Sequence, residues 1–397
     1  MKKIGFILTL LLVGFLGHSQ QNSNVQLQDS VKQFQSQQRD GSSYFNSGQR
    51  LLNTPIDKGI TLGGYGQIDY NEPDGSTPGK LDVHRLVLLF AYKFSDKVSF
   101  LTEIELEHVE EIYVEQAFVS YKVAPSVNVL AGLMLVPMGI INEFHEPTTY
   151  HGVERPNVDS YIVPTTWREL GIGVSGNINS ASLKYQAYIF NGFVSYKDGS
   201  GVLRGIDGLR KGRQKGAESL ITSANFSAKF DYYGVRGLRL GLAGYFGKTQ
   251  TDDTSIEEST VGVSMLGLDA RYVYKNLELR GQYIYTDLSN TNAYNVFNNK
   301  DLGSQMNGAY GEVAYNFPLN AEQQLTPFLR YEKYNTHAST AGDLAKNKAY
   351  DRDDVTFGLD YKVANGVVFK VDYQLFSNAV VDSDTKKQFN AGVGVWF

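Results

Sequence analysis

Three observations predict the fold class. Apolar and polar residues alternate with period two from Gly59 to the last residue, in segments of about ten or more residues, the length that crosses a bilayer at a tilt. Short connections alternate with long ones along the chain. The composition holds 26 Tyr, 22 Phe and 40 Gly against 5 Met and 10 Pro, which suits many strands edged by aromatic belts. Together they predict an all-β chain: a transmembrane antiparallel up-and-down β-barrel of about 16 strands with a long constriction loop.

The elements follow in order. Lys2 and Lys3 precede an apolar run from Ile4 to Phe15, and Gly17-His18-Ser19 offers a small-x-small cleavage pattern, so residues 1–19 read as a signal peptide cleaved after Ser19. There is no Cys in the chain, which excludes a lipoprotein, disulfides and thiolate metal sites. Residues 20–58 are polar and rich in Gln, Ser and Asn, and read as a periplasmic segment. Leu27, Val31 and Phe34 share a helical face, so this segment is either a short helix or a disordered tail. No later apolar run is long enough for a membrane-spanning helix, which argues against a cytoplasmic-membrane protein.

Residues 59–397 form the predicted barrel. Leu238, Leu240 and Leu242 alternate with Arg239, Gly241 and Ala243, and Val367, Phe369, Val371, Tyr373 and Leu375 alternate with Lys370, Asp372 and Gln374. Strands are expected near 60–70, 81–95, 97–108, 111–123, 126–136, 166–177, 181–192 and 217–230. The second half adds 236–247, 261–274, 275–288, 306–317, 324–336, 352–363, 365–377 and 386–397. Links such as Ala124-Pro125, Lys275-Asn276 and Ala364 to Gly366 are short, whereas Pro137 to Thr165, Phe193 to Gly216 and Ser289 to Gln305 are long. The link near Glu110 is short where a long one is expected. The chain ends on alternating apolar residues and Phe397, a pattern like the signal read by the barrel-assembly machinery.

With the apolar face turned to lipid, alternation points Arg85, Glu103, Glu105, Lys184, Arg239, Arg271, Arg280, Arg330 and Lys370 into the lumen. Lys or Arg on the lipid face at mid-bilayer would cost about 2–4 kcal/mol each. The wall is mixed in sign, so the charges are expected to pair across strands and give weak selectivity. The loop from Pro137 to Thr165 is too apolar for a solvated loop and is expected to fold into the lumen and narrow it. Asn142, Glu143, His145, Glu146, Glu154 and Arg155, with Arg168 and Glu169 just beyond it, are its candidate constriction residues. His145, Glu146, His151 and Glu154 lack the spacing of a helical metal motif and are read as hydrogen-bonded loop architecture, with no metal or cofactor expected. The next long loop carries Arg204, Arg210, Lys211, Arg213 and Lys215, either an electropositive trap for anions or lipopolysaccharide, or a solvated segment.

Glu115-Gln116-Ala117-Phe118-Val119, Ala131-Gly132 leading to Pro137-Met138-Gly139, and the stretch from Asn142 through Glu154-Arg155-Pro156 to Trp167-Arg168-Glu169 resemble the phosphate-selective porin O and P family, especially its Bacteroidetes members. The resemblance covers most of 59–397. It implies a trimeric channel of roughly sixteen strands in an outer membrane, constricted by the third loop.

The function expected is passive diffusion of small hydrophilic solutes or anions, phosphate among them. An accessory barrel in a larger outer-membrane assembly is the alternative. A barrel enzyme is disfavoured because no Ser/His/Asp set or carboxylate pair stands at the rim. The expected partners are outer-membrane lipids and lipopolysaccharide, the assembly machinery, solutes and two further copies of the chain. A net charge of −5 gives no reason to expect nucleic acid.

Overall fold

The computed structural model describes residues 46–397. The expected signal peptide and the helix or tail around Leu27 to Phe34 lie outside the described residues. Sixteen long strands close into one antiparallel barrel. They are β1 (Gly59–Pro73), β2 (Lys80–Lys93), β3 (Val98–Glu107), β4 (Glu111–Ala124), β5 (Val127–Leu135), β6 (Arg168–Ile178), β7 (Leu183–Phe190) and β8 (Asn225–Tyr232). The second half supplies β9 (Leu238–Lys248), β10 (Gly262–Tyr274), β11 (Leu277–Ser289), β12 (Gln305–Tyr315), β13 (Gln324–Ser339), β14 (Asp351–Ala364), β15 (Val367–Asn378) and β16 (Lys386–Trp396). Each strand pairs with its neighbours in sequence, and β16 closes on β1 with Gln67 opposite Gly394. Closure leaves no strand edge unpaired, as a span through hydrocarbon requires.

The alternation has the predicted sense. In β9, Leu240, Leu242 and Phe246 are exposed while Arg239, Ala243 and Tyr245 are buried; in β15, Phe369 and Val371 are exposed while Lys370 and Asp372 are buried. The apolar face is therefore the outer face. Exposed Phe94, Tyr121, Tyr232, Tyr274, Tyr315 and Phe317 all sit at the short-turn end, an aromatic girdle at one interface. Phe397 is tied there by both backbone bonds to Gly64, each 2.9 Å.

One predicted strand begins late. Residues 217–224 do not extend β8, because Lys215, Gly216 and Glu218 take positive φ and the Gln214 side chain binds the Leu220 backbone in both directions. The Gln250 amide then takes the Thr222 and Ser223 N–H groups out of any ladder. The short link between β3 and β4 turns through His108 and Val109, both at positive φ.

The long-loop end is itself folded. Val194–Lys197, Ser200–Gly201 and Gln250–Thr251 form a small sheet, and helix Thr291–Asn298 pins it through Tyr294, whose hydroxyl donates to the Ser195 carbonyl and accepts from the Leu203 N–H. At the other end, residues within the expected polar segment are built into the mouth. Helix α1 (Ser47–Leu52) is capped by the Asn46 side chain, and its Gly48 and Leu51 pack against Leu101 and Gly63.

Candidate functional site

The site is the lumen, and its shape follows from residues 136–167, which turn inward between β5 and β6. Asn142 fixes the base of this loop: its amide donates to the Val136 and Trp167 carbonyls at 2.7 and 2.9 Å and accepts the Trp167 N–H at 2.7 Å. Trp167 is fully buried, stacked on Phe193 and tilted against Tyr245, with its indole N–H on Glu169 at 2.8 Å. Met138, Ile140, Ile141, Val153, Val158, Ile162 and Val163 are all buried. As the composition of the loop predicts, it fills the lumen.

An irregular loop inside a barrel leaves backbone N–H and C=O groups that need partners. The charged wall supplies them. Lys229 donates to the Gly139 carbonyl at 2.5 Å, Arg280 to that of Thr149 at 2.6 Å, and Lys370 to those of Tyr150 and Gly152 at 2.6 and 2.8 Å. Arg85 and Arg330 reach the His145 and His151 carbonyls. In return the loop N–H groups of Ile140, Val153 and Val158 donate to Gln282, Asp372 and Glu332. The mixed sign of the wall thus matches a loop presenting both donors and acceptors.

The wall charges also pair with one another and with the loop carboxylate Glu143. Arg239 meets Asp231 at 2.8 Å, Lys229 meets Glu143 and Asp269 at 3.0 and 3.3 Å, and Arg330 meets Glu332 and Glu312 at 3.0 and 3.3 Å. Register brings together what the sequence scatters. Arg239 lies opposite Arg271, Arg271 opposite Arg280, Arg280 opposite Glu312, and Glu312 opposite Arg330. This arginine row spans β9 to β13, and Arg239 and Arg271 lie over the Phe144 ring. Glu103 and Glu105 stand on β3.

The remaining predicted residues are dispersed by role. Lys184 and Glu143 are 3.7 Å apart, Glu146 accepts the Ser47 N–H of α1, and Glu154 accepts from Asn71. His151 pairs with Asp360 at 2.7 Å across the lumen from His145, whose ring faces Glu103 and Glu115. His145, Glu146, His151 and Glu154 therefore do not form one cluster. Sequence reasoning missed Lys229, Asp231, Gln282 and Glu115 as lumen groups. Ser227-Lys229-Asp231 alternation could have shown the second strand half facing in; Glu115 could not be found that way, because a bulge opposite Glu103 and Ile104 turns both Glu115 and Gln116 inward.

The free space lies on either side of the loop. A cavity of about 900 Å³ opens at the long-loop end and one of about 380 Å³ at the short-turn end, the latter lined by α1. Arg155, Arg168, Arg210, Lys211, Arg213 and Lys215 line the larger one. Arg204 is tied to Asp207 instead. The basic loop is not a solvated segment: Arg210 and Arg213 donate to the Thr165 carbonyl at 2.7 and 2.8 Å, and Lys215 sits over the Tyr113 ring. Burial, followed by the charges of Arg210 and Arg168, holds the Arg213 guanidinium below its ordinary pKa; burial, then Arg213 and Arg168, does the same to Lys215. These cations repel one another, which is the condition that favours a bound anion.

A closed sixteen-stranded barrel with an apolar outer face, an aromatic girdle and a loop folded into a charged lumen defines a barrel of the porin fold. Solved structures agree on the fold. An anion-selective porin from Comamonas acidovorans superposes with a TM-score of 0.57 at 13% identity, over 86% of this chain and 100% of that one. The outer membrane channel DcaP of Acinetobacter baumannii gives 0.56 at 12% identity, over 87% and 99%, and Salmonella typhi OmpF 0.54 at 14%, over 85% and 97%. No protein-family model matches the chain. It is 34% identical over 340 residues to an uncharacterised protein of Aquifex aeolicus (strain VF5), covering 80% of this chain and 76% of that one, and it belongs to the same family as that protein.

Proposed function

We propose that the protein is an outer-membrane channel for small hydrophilic solutes, with anions, phosphate among them, favoured at its long-loop mouth. The observation that carries this reading is the excess of cations in the lining of the 900 Å³ cavity directly above the inserted loop, where Arg155, Arg168, Arg210, Lys211, Arg213 and Lys215 gather although Glu105, Glu107, Glu111, Glu154, Asp354 and Asp384 also line it. An excess of one sign lining a concave, low-dielectric mouth raises the local concentration of counter-ions. The paired wall below it makes selectivity modest, and the loop makes unit conductance small.

The same reading includes export through a cleaved signal peptide at residues 1–19, insertion by the assembly machinery reading Phe397, contact with lipid and lipopolysaccharide, and a homotrimer. A role as an accessory barrel draws support from how firmly the loop and α1 occupy the lumen. Planar-bilayer recording of purified, folded protein separates the two. Discrete conductance steps support the channel, and a folded, inserted, silent barrel supports the accessory role.

A further inference from the structure

Where the inserted loop meets β1, β3 and β4, four buried side chains converge. The Tyr65 hydroxyl is 2.8 Å from Glu103 Oε1 and 3.5 Å from Glu115 Oε2. His145 Nε2 is 3.2 Å from Glu115 Oε2 and 3.7 Å from Glu103 Oε1. One ligand atom from each of Glu103, Glu115 and His145 lies within 4.8 Å of the others. With metal–ligand lengths of about 2.0–2.2 Å for nitrogen and oxygen, a tetrahedral shell spaces its donors by roughly 3.3–3.6 Å, which these separations bracket.

The atoms facing away from this point are held. Gln116 donates to Glu103 Oε2 at 2.6 Å, Arg168 to Glu115 Oε1 at 3.3 Å, and His145 Nδ1 is 3.2 Å from the Asn142 carbonyl. A ring that donates through Nδ1 presents the Nε2 lone pair to the cluster, the arrangement found around metal-bound imidazoles. The His145 side chain is 3% exposed, and its Nε2 makes no hydrogen bond among the described residues. The bulge that turns both Glu115 and Gln116 inward delivers one donor and one supporting amide at once.

We propose that Glu103, Glu115 and His145, with the Tyr65 hydroxyl in the fourth position, bind one divalent transition-metal ion that fastens the inserted loop to the barrel wall. Two carboxylates offset the charge of the ion, Glu115 while also holding the Arg168 guanidinium. An imidazole in the set selects the zinc class of ions over calcium or magnesium, which take oxygen ligands in larger number. Four protein donors make the site structural rather than catalytic.

The test uses the full-length protein in detergent, stripped with EDTA, equilibrated with Zn²⁺ or Co²⁺ and desalted. About one equivalent of metal per chain is expected to remain, with the visible absorption of four-coordinate Co²⁺. His145→Gln and Glu115→Gln are expected to lower retention at least tenfold, while His151→Gln, which changes the other buried histidine of the loop, retains it. Wild-type retention below about a tenth of an equivalent, or full retention in folded His145→Gln, would overturn the proposal in favour of a charged imidazole paired with the two glutamates. Should those variants not fold, zinc-edge X-ray absorption of the wild type decides: one imidazole among four light ligands supports the site, and six oxygen ligands or several imidazoles contradict it.

Discussion

Lys229 is fully buried between Glu143 and Asp269 and also donates to the Gly139 carbonyl. Replacing it by Met keeps the volume but strips Asp269 of this cation and leaves Glu143 with the more distant Lys184 at 3.7 Å, and breaking a buried pair costs about 3–5 kcal/mol. Urea unfolding of Lys229→Met in lipid vesicles is expected to show that loss; an unchanged midpoint would mean that water or a cation already compensates these groups. Lys215 offers a pH test. Its pKa is lowered, so it loses its charge at a lower pH than an ordinary lysine, near 10.4. Anion preference is therefore expected to fall as pH is raised while still below that value, and the fall should be smaller in Lys215→Gln, with Arg213, also lowered by burial, contributing the rest. At this scale the sequence is only partly legible. Alternation identifies Lys370 as inward because its strand is regular around it, but it fails at Glu115, where a bulge breaks the period. Nor can it show that Arg239, Arg271 and Arg280 stand side by side, since that depends on register.

The inserted loop is the element that decides how much of the lumen is open. Its wall partners come from strands all round the barrel, yet none of them is a ladder bond, so removing it leaves the barrel's backbone pairing intact. Replacing residues 138–164 with a short Gly-Ser linker is expected to raise single-channel conductance several-fold, with the wall charges then solvated by water. Equal conductance would mean that the solute path does not pass this loop. That the loop folds inward was legible from its Phe, Ile, Tyr and Val content, as a solvated loop would leave so large an apolar surface in water. Its partners were not, because they come from strands distant in sequence. The late start of β8 was hidden for a related reason: the side chains of Gln214 and Gln250 capture the backbone of 220–223, and such bonds leave no periodic trace.

At the scale of the molecule, the outer face and the closure of the barrel carry stability. Leu242 lies mid-strand in β9 and is 52% exposed. Leu242→Arg is expected to cost about 2–4 kcal/mol in vesicle refolding, against about zero for Leu242→Phe. The fold was the most legible feature because period two, strand length and the asymmetry of connections are set by the bilayer and repeat in every hairpin. Solute and selectivity depend instead on the side chains left at the mouth after the rest have paired. The reversal potential of the reconstituted channel in a KCl gradient reads that remainder directly. The account predicts discrete steps with a reversal potential displaced toward that of chloride, and a reduced displacement in Arg213→Gln and Lys215→Gln. Displacement toward potassium, or silence from protein shown to be folded and inserted, would contradict it.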